Sequence, residues 1–135
     1  MTAVPRQLAA GVERRARGRC EYCQLSQSGQ EARFHIDHVV PLAAGGRTVS
    51  DNLALACVSC SLRKGAKRES VDPQDGANVG LFNPRTLIWS EHFVWDGLVL
   101  SGLTATGRAT VAALAMNRPL IIAIRAEEQF RGRFP

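Results

Sequence analysis

The stretch that decides the fold runs from Cys20 to Gly65 and reads CEYCQLSQSGQEARFHIDHVVPLAAGGRTVSDNLALACVSCSLRKG. It holds all four cysteines of the chain, in two Cys-x-x-Cys pairs, Cys20 with Cys23 and Cys57 with Cys60. Each pair offers two thiolates on one tight turn, and two pairs complete the tetrahedral sulfur set that structural zinc sites use. We therefore predict one structural zinc on these four cysteines; the alternatives are two redox pairs or four unrelated buried cysteines.

Composition and charge limit the class of protein. The chain has 135 residues, of which 45% are hydrophobic, as expected for one globular domain. Lys and Arg outnumber Asp and Glu by 17 to 12, and a net charge of +5 favours a polyanionic partner. Residues 1–7 lack the apolar run of an export signal, and residues 120–124 are too short a run to span a bilayer. We expect a cytoplasmic protein without a membrane partner.

The front half contains signals for a helix, two strands and a second helix. Pro5 suits the first turn of a helix over residues 5–17. Residues 33–41 are rich in β-branched and aromatic types, which predicts a strand, and residues 53–57 can return antiparallel to it. A short basic helix is expected from Ser61, for which an N-cap is the structural explanation.

The back half contains a predicted hairpin and two helices. Residues 68–86 are rich in the Pro, Gly, Asn and Asp residues that favour loops. An Asp-Gly turn at 96–97 separates strand-like runs over 89–95 and 98–103. A helix over 109–116, capped by Thr104 or Thr106, and a last helix from Pro119 complete the chain. We predict an α+β fold in a single domain, residues 1–135, with a zinc-bound front half (1–67) and a back half (68–135) packed on it.

The residues between the two cysteine pairs contain further motifs, and their order resembles that of a known protein family. The order Cys-x-x-Cys, Asp37-His38-x-x-Pro41, Gly45-Gly46, Asp51-Asn52-Leu53, Cys-x-x-Cys and Lys-Gly resembles the HNH endonucleases. Their ββα-metal core is two strands and a helix around one divalent ion. Residues 89–95 and 102–109 also look similar to a bacterial subgroup of HNH proteins.

The resemblance implies roles for three residues of this stretch. His38 is expected to be the general base that takes a proton from the attacking water, and Asp37 a ligand of a hard cation such as Mg²⁺. Asn52 is expected to orient the His38 ring or to tie the loop. Taken singly, each has a structural explanation: a satisfied hairpin histidine, a solvated carboxylate and a turn-former.

The third letter of the family motif is different in this chain. A His or Asn normally follows the last cysteine and completes the catalytic metal site, whereas Ser61 stands there. A serine hydroxyl is a weaker ligand, and His35, on the same strand face as Asp37, is expected to supply a further contact to the metal or the phosphate. The alternative for His35 is a buried residue hydrogen-bonded to backbone.

A basic cluster follows the proposed site. On the resemblance, the helix of the core lies against nucleic acid, and its basic residues contact phosphates. The alternative is a solvated charged face. The expected nucleic-acid-binding residues are Arg63, Lys64, Lys67 and Arg68.

Three functions remain open at the sequence level. The first is a metal-dependent endonuclease that hydrolyses phosphodiester bonds in DNA, or in RNA as the other polyanion, with a structural Zn²⁺ and a catalytic Mg²⁺, Mn²⁺ or Ni²⁺ and no small-molecule cofactor. The second is a non-catalytic zinc-stabilised nucleic-acid-binding module, because Ser61 replaces the usual ligand. The third is a zinc-stabilised domain whose aromatic hairpin contacts protein.

Overall fold

The structure is a computed structural model that describes residues 4–135, so residues 1–3 of the predicted domain lie outside the described residues. The fold is α+β, as predicted, and its strands pair in small antiparallel two-stranded sheets. The helices and strands are α1 (Arg6–Arg15), β1 (His35–His38), β2 (Leu53–Ala56), α2 (Val58–Lys64), β3 (Glu69–Val71), β4 (Asn78–Gly80), α3 (Trp89–His92), β5 (Phe93–Asp96), β6 (Val99–Gly102), α4 (Ala105–Ala113) and α5 (Pro119–Phe130). None of the helices in this part of the chain has both the length and the apolar character needed to cross a membrane.

The front half contains the predicted pair of strands and the helix that follows it. Strands β1 and β2 pair antiparallel, with His35 opposite Ala56 and His38 opposite Leu53. All four residues of β2 are buried, which makes it the inner strand of this unit. A single residue, Cys57, separates the end of β2 from the start of α2, so two strands and a helix form a continuous ββα unit.

Helix α2 begins at Val58 and not at Ser61, which corrects the sequence prediction. Cys57 is the N-cap, with extended backbone angles, and its Sγ accepts the N–H of Cys60 at 3.4 Å. A sulfur therefore satisfies one of the free amides of the first turn, the task that Ser was expected to perform. Ser61 is consequently an interior helix residue whose side chain is available to the surface beside β1.

The region predicted as loop contains a short hairpin, β3–β4. Its strands are three residues long and mostly exposed, so they lack the apolar alternation that marks a strand in sequence. Asp72 organises the connection: its carboxylate accepts the N–H of Gln74 at 3.0 Å and two hydrogen bonds from the Arg108 guanidinium at 3.0 and 2.8 Å. The hairpin is thus held to α4 by a two-point ion pair.

The back half follows the predicted order with shifted boundaries. The hairpin of β5 and β6 turns at Asp96-Gly97, as predicted, and Gly97 has a φ of 60°. Residues 89–92 form a helical turn, where the sequence had predicted strand. Thr104, one of the two predicted caps, caps α4 by accepting the N–H of Gly107, and the helix ends at Ala113, earlier than predicted. Helix α5 begins at Pro119, as predicted.

Aromatic residues of the back half pack on the first cysteine pair. Phe82 meets the ring of Tyr22 edge-on at 6.5 Å and that of Phe93 at 5.2 Å. The Trp89 indole donates a hydrogen bond to the carbonyl of Tyr22 at 2.9 Å. Tyr22 lies between Cys20 and Cys23, so the back half packs against the turn that carries two of the predicted zinc ligands.

Close approach of α4 to the hairpin depends on glycine. A Cβ at Gly107 would lie 2.1 Å from the carbonyl oxygen of His92 and 3.2 Å from the Cα of Gly102. We therefore predict that Gly107→Ala lowers the free energy of unfolding by about 1–3 kcal/mol, because backbone must move to admit the methyl group. Thermal or urea unfolding measures this loss.

Gly80→Ala is the matched control for this substitution. A Cβ at Gly80 meets no atom within 4 Å, so the same chemical change there should leave the unfolding midpoint close to that of the parent. Equal midpoints for Gly107→Ala and Gly80→Ala would contradict the account of the helix–hairpin contact.

Candidate metal centre and adjoining cleft

The four cysteines come together in one buried cluster. Their sulfur atoms all lie within 4.8 Å of one another, and the four residues are at most 4% exposed. The thiols are free, and the distance from the Cys23 Sγ to the Cys57 Sγ is 3.7 Å. In each pair the first sulfur accepts the backbone N–H of the second cysteine at 3.4 Å. Two similar turns thus present their sulfurs to a common point.

The chemistry of this cluster fits a divalent metal ion. Burial raises the pKa of the Cys20 thiol, whereas hydrogen bonds within the cluster, led by that with Cys20, lower the pKa of Cys57. Buried sulfurs at this spacing cannot all carry negative charge unless a cation neutralises them. Four protein sulfurs fill every position of a tetrahedral zinc site, which is the arrangement of structural zinc and leaves no position for substrate.

We predict that Cys20→Ser and Cys57→Ser each abolish tight zinc binding and unfold the front half, because folding energy here comes from the metal. Metal analysis of the purified parent should find about one zinc per chain. Ser59→Ala alters the second turn without removing a thiolate and should retain the metal. A well-folded parent without zinc under reducing conditions would contradict the assignment.

A second cluster of polar residues lines an open cleft of about 550 Å³ beside β1. His35, Asp37 and His38 come from the strand, and Ser61 comes from α2. The ββα unit therefore brings four of the predicted site residues to one surface. Alternation along a strand would separate Asp37 from His38, but both line this cleft at the point where β1 ends.

His35 and Ser61 are direct partners. His35 Nδ1 lies 2.9 Å from the Ser61 Oγ, and the histidine is exposed at the edge of the cleft. The two residues expected to replace or complete the third motif position are thus neighbours. Register explains the contact, because His35 starts β1 opposite Ala56, close to where α2 leaves β2.

Asp37 lies deeper in the cleft wall and already has two partners. The Tyr22 hydroxyl donates a hydrogen bond to Asp37 Oδ2 at 2.8 Å, and the Lys64 ammonium lies 3.1 Å from the same oxygen. Asp37 is 8% exposed and Lys64 only 2%. Burial raises the pKa of the Asp37 carboxyl, and the positive charge of Lys64 opposes that effect. The ammonium also donates to the carbonyl of His38 at 3.2 Å, so Lys64 ties α2 to the end of β1.

The cleft offers ligand types that a divalent ion accepts, in a looser arrangement than the cysteine cluster. The imidazole of His35, the hydroxyl of Ser61 and the carboxylate of Asp37 suit ions such as Mn²⁺ or Ni²⁺, and the carboxylate also suits Mg²⁺. Within residues 4–135, however, only the cysteines form a group of three or more His, Cys, Asp or Glu ligand atoms that lie within 4.8 Å of one another. An ion in the cleft would share the Asp37 carboxylate with Lys64.

His38 is held by a residue outside the predicted set. Its Nε2 lies 2.9 Å from the Oγ1 of Thr48, in the loop between β1 and β2. The ring is half-buried, and the described residues place no hydrogen-bond partner on its Nδ1. One ring nitrogen is therefore engaged by protein, and the other has no protein hydrogen-bond partner among the described residues.

Asn52 ties the loop and makes no contact with the His38 ring. Its Oδ1 accepts the N–H of Val40 at 2.9 Å, and its Nδ2 donates to the carbonyls of Val40 at 3.0 Å and Arg47 at 2.9 Å. Of the two tasks expected for Asn52, the structure shows the second. Gly46 is required beside it, since a Cβ there would lie 1.8 Å from the carbonyl oxygen of Val40.

The basic residues after the second cysteine pair divide into two kinds. Arg63, Lys67 and Arg68 are exposed, and the Arg63 guanidinium contacts only the Ser59 hydroxyl of its own helix, at 3.1 Å. Lys64 differs, because its side chain is buried against Asp37 and does not present its ammonium to solvent. A phosphate contact expected for Lys64 is therefore at odds with this structure.

Reasoning from sequence missed the side chains that hold two cleft residues: Tyr22 and Lys64 on Asp37, and Thr48 on His38. Lys64 follows Ser61 by three residues, a spacing that places both on one helix face, so a link to the site was visible. Tyr22 and Thr48 carried no comparable signal, because their partners lie 15 and 10 residues away along the chain.

Comparison with known proteins supports the resemblance over the front half. The HNH endonuclease family model matches residues 20–67, the stretch that holds both cysteine pairs and the cleft residues on β1 and α2. No curated protein matches the chain significantly, and neither does any solved structure.

Proposed function

With residues 20–67 matched to the HNH endonuclease family, we propose that this protein is a metal-dependent endonuclease that hydrolyses phosphodiester bonds in DNA. The structural ion would be Zn²⁺ on the four cysteines, and the catalytic ion Mg²⁺, Mn²⁺ or Ni²⁺ in the cleft. One observation carries the proposal: His38, with one ring nitrogen free, lines the same cleft as Asp37, His35 and Ser61.

The proposed mechanism needs a base and a way to neutralise charge. His38 takes a proton from the water that attacks the phosphorus, as its free ring nitrogen is suited to do. A divalent ion bound by Asp37, His35 and Ser61 would stabilise negative charge on the phosphate and on the leaving oxygen. Asn52 keeps the loop next to His38 in place, and Lys64 orients the Asp37 carboxylate at the cleft wall.

Nucleic acid would lie across the cleft and the exposed face of α2. Arg63 on α2, and Lys67 and Arg68 just after it, offer exposed cations, so they can bind phosphates in a sequence-independent way. The net charge of +5 adds long-range attraction.

A second function is favoured by a specific contact. Ser61 is engaged by His35 and Asp37 by Lys64, which weakens both as ligands. A protein with this cleft and no bound catalytic ion would be a zinc-stabilised module that binds nucleic acid without cutting it. The same basic face would serve both functions, so binding alone cannot separate them.

Plasmid cleavage separates the two functions. We expect the purified protein to nick or linearise supercoiled DNA with Mg²⁺, Mn²⁺ or Ni²⁺, and His38→Ala to lower the rate by about 10²–10⁴-fold, the usual contribution of a general base. Both proteins should contain the same amount of zinc, which shows that the variant is folded. DNA retention without nicking by the parent would support the binding module instead.

The third motif position provides an independent test. We predict that Ser61→Asn raises the cleavage rate at limiting metal concentration, because an amide oxygen reaches further than a serine hydroxyl and is a better ligand. Ser61→Ala should lower it. The rate is measured across a titration of the divalent ion, and no response to either substitution would remove Ser61 from the proposed metal site.

The basic face is tested through salt. Each lost phosphate contact should reduce the slope of log binding constant against log salt by about 0.9 on duplex DNA. We therefore expect this reduction for Arg63→Ala and for Lys67→Ala. Arg131→Ala removes the same charge from α5, where the side chain pairs with Glu127, and should leave the slope unchanged. Equal slopes for all the proteins would refute the proposed face.

We also propose that residues 1–135 act as one domain in the cytoplasm. The aromatic contacts between Tyr22, Phe82 and Phe93 support the first part, because they join the two halves. The set of free cysteines supports the second, because a reducing compartment keeps such ligands available for metal.

A further inference from the structure

We propose that Thr48 is a positioning residue for His38, which holds the ring in place by accepting its Nε2–H. The inference rests on the proposed function, in which His38 is the base. It adds a residue from the loop between β1 and β2 to a site otherwise built from β1 and α2.

The contact is specific in its geometry. The Thr48 Oγ1 lies 2.9 Å from the His38 Nε2, a normal hydrogen-bond distance, across ten residues of chain. Both side chains are half-buried, so bulk water competes less for the bond than at an exposed site. Among the described residues, the Thr48 side chain makes this one hydrogen bond, and its partner is His38, the residue to which we assign the proton transfer.

The tautomer follows from what a base requires. Neutral imidazole carries one N–H and one free lone pair, on different nitrogens. If His38 Nε2–H donates to the Thr48 hydroxyl oxygen, the lone pair is on Nδ1, the nitrogen that has no protein partner in residues 4–135. In the opposite tautomer the Thr48 hydroxyl would donate to the Nε2 lone pair, and Nδ1 would carry a proton and could not accept one from water.

Thr48 can perform this task because hydrogen bonds from Asn52 hold its loop in place. The carbonyl of Arg47, one residue earlier, accepts a hydrogen bond from Asn52, which also holds both backbone polar groups of Val40. Gly46 lets the two arms of the loop approach at van der Waals distance. Asn52 therefore affects His38 indirectly: it holds the loop in place, and Thr48 on that loop contacts the ring.

The test compares Thr48→Val with Thr48→Ser in the full-length zinc-loaded protein. Valine keeps the shape of threonine and removes the hydroxyl, whereas serine keeps the hydroxyl. We expect Thr48→Val to lower kcat for plasmid nicking by about 10- to 100-fold, as misplacement of a reacting group does, with KM for DNA unchanged. Thr48→Ser should restore most of the rate. Thr86→Val, at an exposed threonine, is the matched control.

A second readout does not depend on activity. The chain has three histidines, so the ring nitrogens can be assigned by nuclear magnetic resonance. We expect the Nε2–H tautomer for His38 in the parent and in Thr48→Ser, and a mixture in Thr48→Val. Zinc content and the unfolding midpoint of each variant show that the fold is retained.

The outcomes separate this inference from the proposed function. An unchanged kcat and tautomer in Thr48→Val, while His38→Ala is inactive, would overturn the role of Thr48 and leave the nuclease standing. An Nδ1–H tautomer in the parent would overturn it as well. A parent that binds DNA without cutting it would overturn the nuclease, and the tautomer shift in Thr48→Val would still establish that Thr48 sets the ring.

Discussion

The cluster of four buried sulfurs is the constraint on which the rest of the structure depends. Its first pair holds the turn before β1, and its second pair joins the end of β2 to the start of α2, with Cys57 also capping that helix. A cation that neutralises these thiolates would consequently fix the relative positions of both strands and the helix. The cleft lies on the surface that this arrangement creates, one residue beyond the last sulfur, at Ser61.

Burial explains why the charged residues of the site differ so much from one another. Asp37 and Lys64 form an ion pair under the cleft, where desolvation makes each depend on the other. Arg63, one residue before Lys64, is exposed and free to meet phosphate. A helix of 3.6 residues per turn points neighbouring side chains in different directions, so one basic run contains both a buried structural lysine and an exposed arginine.

The resemblance in sequence order was a good guide to the front half and a weaker one to the back half. The antiparallel return strand and the Asp-Gly turn follow from local patterns, the ββα unit follows from the family resemblance, and all three are present, with the pairing over residues 53–56. The start of α2 was wrong because a cysteine sulfur replaced the expected serine cap. The β3–β4 hairpin was missed because its short, exposed strands have no apolar pattern, and its stability comes from the distant Arg108.

Sequence alone determined the candidate residues of the site: the paired cysteines, Asp37-His38, Asn52 and the departure at Ser61 can all be identified as motifs with fixed spacing. Tertiary structure decided what each of them touches. It pairs Lys64 with Asp37 and brings His35 into hydrogen-bond distance of Ser61. It also directs the Asn52 side chain to the loop and places Thr48 within hydrogen-bond distance of His38. The physical reason is that spacing along the chain specifies local conformation, whereas partners across the ββα unit depend on how strands and helix pack around the metal cluster.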